Sequence, residues 1–173
     1  EIVEEITRND PLNNQYYPRF NAHINNWEFT TDGIRGKISY SKENNDTAVG
    51  DSLVIDVDLN GMIHLFYGRA AEQEQDFFLF FPLAVIANAI NFMLFAGALF
   101  RKINYIGMVD IGLAVTGIKG AFYYTGDPIL SRMRKPYESD IYKEVGRIDA
   151  PSLLDRELAK IKTEELLAHL IKA

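Results

Sequence analysis

The 173 residues include no cysteine, only three histidines and one tryptophan, and the 18 Lys and Arg are outnumbered by 24 Asp and Glu. Without cysteine there are no disulfides, no thiolate metal sites and no cysteine nucleophile, which suits a reducing cytoplasm. The shortage of base leaves a net charge of −6 and a pI near 5.1. That balance opposes a broad nucleic-acid footprint, because phosphate binding needs clustered positive charge. GxSxG and HExxH are both missing, and scattered histidines are not an arrangement for nucleophilic or metal chemistry. No catalytic residue, metal ligand or cofactor is therefore nominated. The opening EIVEEITRND has neither the basic flank nor the apolar core of a signal peptide. Starting on Glu, it is expected to be a fragment of a longer protein. The length suits one domain that buries roughly 70% of its unfolded surface.

What the sequence does have is a run of 24 residues without a charge, Phe77 to Phe100. As a helix it would be about 36 Å long, enough for a hydrocarbon layer of about 30 Å. Pro82 favours a helix that starts only there, Asn88 and Asn91 put two amides on one face, and Gly97 weakens the last turns. Strand-like segments lie on both sides, and a membrane between them would leave two halves too small to bury a core. The run is read as a buried helix of a cytoplasmic fold, closed favourably by Arg101 and Lys102.

Residues 1–26, with Tyr16, Tyr17 and Phe20 among breakers, form an irregular arm, and residues 27–150 the core. Trp27 and Phe29, then Ile34, Ile38 and Tyr40, flank the polar TTDG as strand, turn, strand, and 42–51 is a solvated loop. SLVIDVDL and MIHLFYG, joined by Asn60 and Gly61, predict a hairpin with a two-residue type I′ turn. That register sets Val57 opposite His64 and Asp56 opposite Leu65, so Asp56 and Asp58 share one face and His64 the other. Residues 70–76 are a connector. YIGMVDIGLAVTGIKGAFYY reads as one strand, or two joined near Gly117, with Val109, Ile111, Leu113 and Val115 on the apolar face. The polar stretch around 131–147 has no assignment. Pro151, Ser152 and Asp155 announce a helix from about 153, within 151–173, whose stripe is Leu154, Leu158, Ile161, Leu167 and Ile171. The sum is an α+β fold, a mostly antiparallel sheet with a long buried helix and a C-terminal helix packed on it.

Asp110 stands inside an apolar strand, where it needs a structural partner unless it marks the solvent face of an edge strand. Asn88, Asn91 and Asp110 are the residues that a ligand pocket between sheet and helix would use. DGIRG at 32–36 and TGIKG at 116–120 place a basic residue between glycines; lacking the Walker lysine and hydroxyl, they read as turns. Arg132, Arg134 and Lys135 are the one dense basic run, a charged loop that could touch a nucleic-acid backbone.

DVDLNGMIHLFYGRA, the apolar helix after it and RKINYIGMVDIGLAVTGIKGAFYY together resemble the region that follows the Schlafen-type DNA-binding domain in bacterial regulator-like proteins, often described as ATP-binding. In those chains an Asn-Gly turn leads to a helix and then to a strand ending in Gly-Ile-Lys-Gly. Tyr105, Gly107, Val109, Ile111, Leu113, Gly117, Ile118, Lys119 and Gly120 fit that pattern, and the similarity covers about residues 27–124. The Glu-Phe-Lys and Ala-Phe-Ala-Asn signature of the DNA-binding domain itself does not occur. The resemblance implies a non-catalytic accessory or oligomerisation domain of a multidomain transcriptional regulator or defence protein. Its partners would be the other domains of the parent protein or a second copy, with no direct nucleic-acid binding here. A small-ligand sensor and a membrane-tethered domain with its helix at 77–100 are the alternatives.

Overall fold

Hydrogen-bonded strand pairs divide between two compact units, residues 1–69 and 70–173, in the computed structural model, which describes residues 26–39, 51–68, 70–74 and 77–172. The boundary falls inside the stretch expected to form one core. The expected arm and the loop at 42–51 lie outside the described residues, apart from Asn26 and Asp51.

In the first unit β1 (Asn26–Phe29), β2 (Gly33–Ser39), β3 (Asp51–Asp58) and β4 (Ile63–Tyr67) form an antiparallel meander in that order. TTDG is the expected turn, closed by Thr30 N–H donating to Gly33 O at 2.9 Å. Gly33 is needed for close approach, since a Cβ there would sit 2.0 Å from Val57 O. The second hairpin forms, but with another loop. Gly61 N–H donates to Asp58 O and Asp58 N–H to Met62 O, leaving residues 59–61 as a three-residue loop. Gly61 alone takes the left-handed conformation, with φ +87°. The loop is a turn followed by a glycine bulge, which shifts the pairing by one residue. Asp56 pairs with His64 and Ile55 with Leu65. The expected separation of His64 from the aspartates is therefore corrected: all three share a face. Trp27, Ile34, Ile55, Val57, Ile63 and Leu65 lie on the other, where Ile55 and Leu53 are buried.

The second unit opens with β5 (Ala71–Glu74), where a connector was expected, and β6 (Phe77–Phe80). β6 pairs antiparallel with β5 and parallel with β8 (Phe122–Tyr123). Between them the long helix α1 spans Pro82–Lys102, with Pro82 in its first turn and Arg101 and Lys102 in its last. Length and composition would let it cross a membrane, yet 67% of its most apolar stretch is buried within the fold. Phe80 O, two residues before the helix, accepts Tyr124 N–H at 2.9 Å, so the chain returns to where α1 begins.

β7 (Met108–Thr116) ends at Gly117 (φ +71°), which selects the two-strand reading of that segment. It pairs antiparallel with β9 (Ile141–Asp149), a strand within the unassigned stretch, after the short helix α2 (Pro128–Arg132). A 3₁₀ turn at Pro151–Leu154 precedes α3 (Arg156–Lys172). Asp155 Oδ1 caps α3, accepting Glu157 N–H at 2.9 Å and Leu158 N–H at 3.2 Å. α3 packs on β9 and on α1, and α1 also packs on the 3₁₀ turn. The buried face of α3 is Ala159, Thr163, Leu166, Leu167 and Leu170; of the expected stripe, Leu158 and Ile161 are exposed. Phe80, Val115, Ile118, Ala121, Tyr137, Leu167 and Leu170 make a core cluster. The α+β class holds, with three sheets among the described residues in place of one.

Candidate functional site

On the polar face of the first unit, cross-strand register brings Glu28, Arg35, Asp56 and His64 into one row. Arg35 Nε and Nη2 donate to the two Asp56 oxygens at 2.6 and 2.9 Å. This fork holds the Asp56 carboxyl below its ordinary range, the Arg35 hydrogen bond outweighing partial burial. His64 Nε2 lies 3.6 Å from Asp58 Oδ2, and Lys37 Nζ lies 3.5 Å from Glu28. In that row Arg35 lies between the carboxylates of Glu28 and Asp56. Among the described residues no group of three His, Asp or Glu is placed to hold a metal ion. Arg35 of DGIRG is thus committed to a carboxylate.

Asp110 lies on the exposed face of the β7–β9 ribbon, directly opposite Arg147. Arg147 Nε and Nη2 reach its two oxygens at 2.5 and 2.9 Å, and their hydrogen bond lowers the Asp110 pKa. Its structural partner is the arginine, on a solvent face. Asn88 is buried within α1, where its Nδ2 donates to Ala84 O at 2.8 Å and Oδ1 has no partner among the described residues. Asn91, one turn further, is half-buried. The structure keeps the two asparagines on one helix and sets Asp110 on the exposed ribbon, so the three do not line the single pocket that was expected.

Arg132 and Arg134 are both exposed and stacked: the Arg132 Cζ lies 3.2 Å from the centre of the Phe77 ring, that of Arg134 4.8 Å from the centre of Tyr123. Lys135 beside them is exposed. Each guanidinium is held over an aromatic face by a cation–π contact. The three side chains have no carboxylate partner among the described residues. In TGIKG, Gly120 N–H donates to Tyr137 O at 2.8 Å, which removes it from any phosphate cradle. The glycines there serve turn geometry, with φ +71° and +83°.

The feature that sequence reasoning missed is the ribbon itself. Its outer face pairs Met108 with Asp149, Asp110 with Arg147, Gly112 with Val145, Ala114 with Lys143 and Thr116 with Ile141. Val145, Ile141 and Met108 are 75%, 57% and 54% exposed. The inner residues Ile111 and Val115 are buried. Alternation in IYKEVGRID was the available signal, obscured because the inward set contains Glu144 and Gly146. No family model, curated protein or solved structure matches the chain.

Proposed function

We infer that this chain is a non-catalytic accessory or oligomerisation domain of a multidomain cytoplasmic protein, a DNA-binding transcriptional regulator or defence protein of the Schlafen-like kind. The observation that carries the reading is the β7–β9 ribbon, which turns Met108, Ile141 and Val145 outward on an open sheet face. A second surface covering these side chains would remove apolar area from water. The carboxylates with lowered pKa at Asp56 and Asp110 are tied to arginines, a structural use of charge. Burial of α1 within the second unit supports a fold that needs no membrane.

Sedimentation of the chain, alone and mixed with the remainder of its parent protein, tests the reading. Association in either experiment, with binding to the remainder weakened by Val145→Asp at an unchanged melting temperature, is the expected result. No association in both experiments overturns it. Small-ligand sensing at α1 is the second reading, favoured by the buried Asn88 Oδ1, which has no partner among the described residues. Such an acceptor costs about 1–3 kcal/mol unless a donor reaches it.

A further inference from the structure

Among the described residues β7 is bonded to a neighbouring strand along one edge only. Gly107 O accepts Ala150 N–H at 2.9 Å, just beyond the Met108–Asp149 pair. In an antiparallel ladder alternate residues turn their backbone groups to the same neighbour. Val109, Ile111, Leu113 and Val115 therefore bond β9, while Asp110, Gly112 and Ala114 turn their N–H and C=O groups away. Met108 O has the same outward phase, and it accepts the Tyr105 hydroxyl at 2.9 Å. No backbone bond from a described residue reaches the outward groups of Asp110, Gly112 or Ala114.

Edge strands are ordinarily blunted by proline, lysine or bulges. β7 has none of these, and its single charge is occupied by Arg147. Its inward residues are symmetric about Gly112: valine at 109 and 115, isoleucine at 111, leucine at 113. Gly112 has no local need to be glycine, since an added Cβ would meet nothing within 4 Å and its φ is not left-handed. A glycine within a strand weakens it relative to alanine and often marks close approach of another backbone.

We propose that a second copy of this chain pairs its β7 antiparallel to β7 about a two-fold axis at Gly112, joining two ribbons into one four-stranded sheet. In that register Val109 lies beside the partner's Val115 and Ile111 beside the partner's Leu113, which continues the apolar inner layer. On the outer face the row runs Arg147, Asp110, the partner's Ala114, the partner's Lys143. Asp110 then has a cation on both sides, and the small alanine leaves the lysine room to reach it. The pairing rests on the interaction-domain reading, names a second copy as its partner and adds the β7 edge to the outer face that carries Val145.

The absence of cysteine supplies the test. A hydrogen-bonded antiparallel pair holds its Cα atoms about 5.5 Å apart, within the roughly 4.4–6.8 Å that a disulfide spans. Gly112→Cys should cross-link to a covalent dimer on mild oxidation, whereas Thr116→Cys, displaced from the axis, should not. The unmodified chain should sediment at twice 19.7 kDa. Gly112→Pro, which removes an outward N–H that the protomer does not use, should return it to the monomer mass with its circular dichroism retained. A monomer at every concentration overturns the pairing; if that monomer still binds the remainder of the parent protein, the accessory reading stands. A dimer that survives Gly112→Pro and shows no preference for Gly112→Cys overturns β7 as the surface while leaving oligomerisation in place.

Discussion

Gly97 of α1 and Leu153 of the 3₁₀ turn approach so closely that a Cβ on Gly97 would sit 2.8 Å from the Leu153 Cβ and 3.0 Å from its carbonyl carbon. The glycine therefore does more than weaken the helix: it lets the chain segment before α3 lie against α1. Gly97→Ala sets two effects in opposition. Helix propensity favours alanine by up to about 1 kcal/mol, whereas overpacking against backbone typically costs about 1–3 kcal/mol. The overlap should prevail, and thermal melting should show a net loss of stability. A rise in melting temperature would mean that the turn yields freely.

How much of this was legible follows from which residues carried periodic signals. Pro82 and the uncharged run located α1 closely because one proline and one charge pair punctuate it. β9 was not assigned, because its inward residues are Tyr142, Glu144, Gly146 and Ile148. Gly146 is small for a tertiary reason, the Leu166 Cδ2 lying 3.3 Å from where its Cβ would be. The stripe of α3 was misplaced for a related reason. Leu167 of that stripe is buried, but Ala159 and Thr163 take the inward places expected of the larger Leu158 and Ile161, which face outward. The hairpin register turned on whether Asn60-Gly61 closes two residues or three, a difference that sends every side chain to the opposite face. Arg147 was invisible as the Asp110 partner because 37 residues separate them.

The loop geometry makes a sharp distinction between its two central residues. Gly61 has φ +87° and Asn60 is not left-handed, so only the glycine is needed for backbone reasons. Gly61→Val should destabilise the first unit by about 1–2 kcal/mol, the cost of a left-handed non-glycine residue. Asn60→Ala should cost less, losing only the bond from Met62 N–H to Asn60 Oδ1 at 2.9 Å. Urea titrations followed by the fluorescence of Trp27, the one tryptophan, measure both. Equal losses would restore the two-residue turn.

Acid should act on the same unit through Asp56. Hydrogen bonding to Arg35 lowers its folded pKa below the ordinary 3.8, so the associated stability is present above about pH 4 and is lost as pH falls through the lower folded value. Arg35→Leu removes the cause of the shift. The acid transition of Trp27 fluorescence should then move to higher pH. An unmoved transition would show that the pair contributes nothing to folding, as exposed pairs often do not.

Alkali should act on the second unit through Tyr137. Burial pushes its phenol from 10.0 up to about 12, and its hydroxyl donates to Leu170 O at 2.9 Å, satisfying a carbonyl in the last turn of α3. A raised folded pKa means that this stability is fully present below about pH 10 and disappears as pH rises through about 12. Tyr137→Phe should keep the edge-to-face contact with Phe80, at 5.5 Å, and lose the hydrogen bond, costing about 1 kcal/mol at neutral pH. Its melting temperature should also fall less steeply between neutral pH and pH 11 than that of the unsubstituted chain. Identical alkaline profiles would show that another group controls the transition.

Nucleic acid is a partner of the DNA-binding parent that the proposed function assigns, and the charge balance opposes its binding to this chain. Arg132 and Arg134 offer guanidinium edges held on Phe77 and Tyr123, with Lys135 beside them. Three cations on a surface of net charge −6 release few counterions, and Arg132 also spends part of its interaction on its ring. Duplex DNA should bind no more tightly than about 10⁻⁴ M at physiological salt, the weak end of non-specific association. Fluorescence anisotropy with labelled duplex measures this directly. Micromolar, salt-sensitive binding that disappears when Arg132, Arg134 and Lys135 are replaced by Gln would make this cluster a phosphate-contact surface in its own right, and the accessory-domain reading would have to be given up.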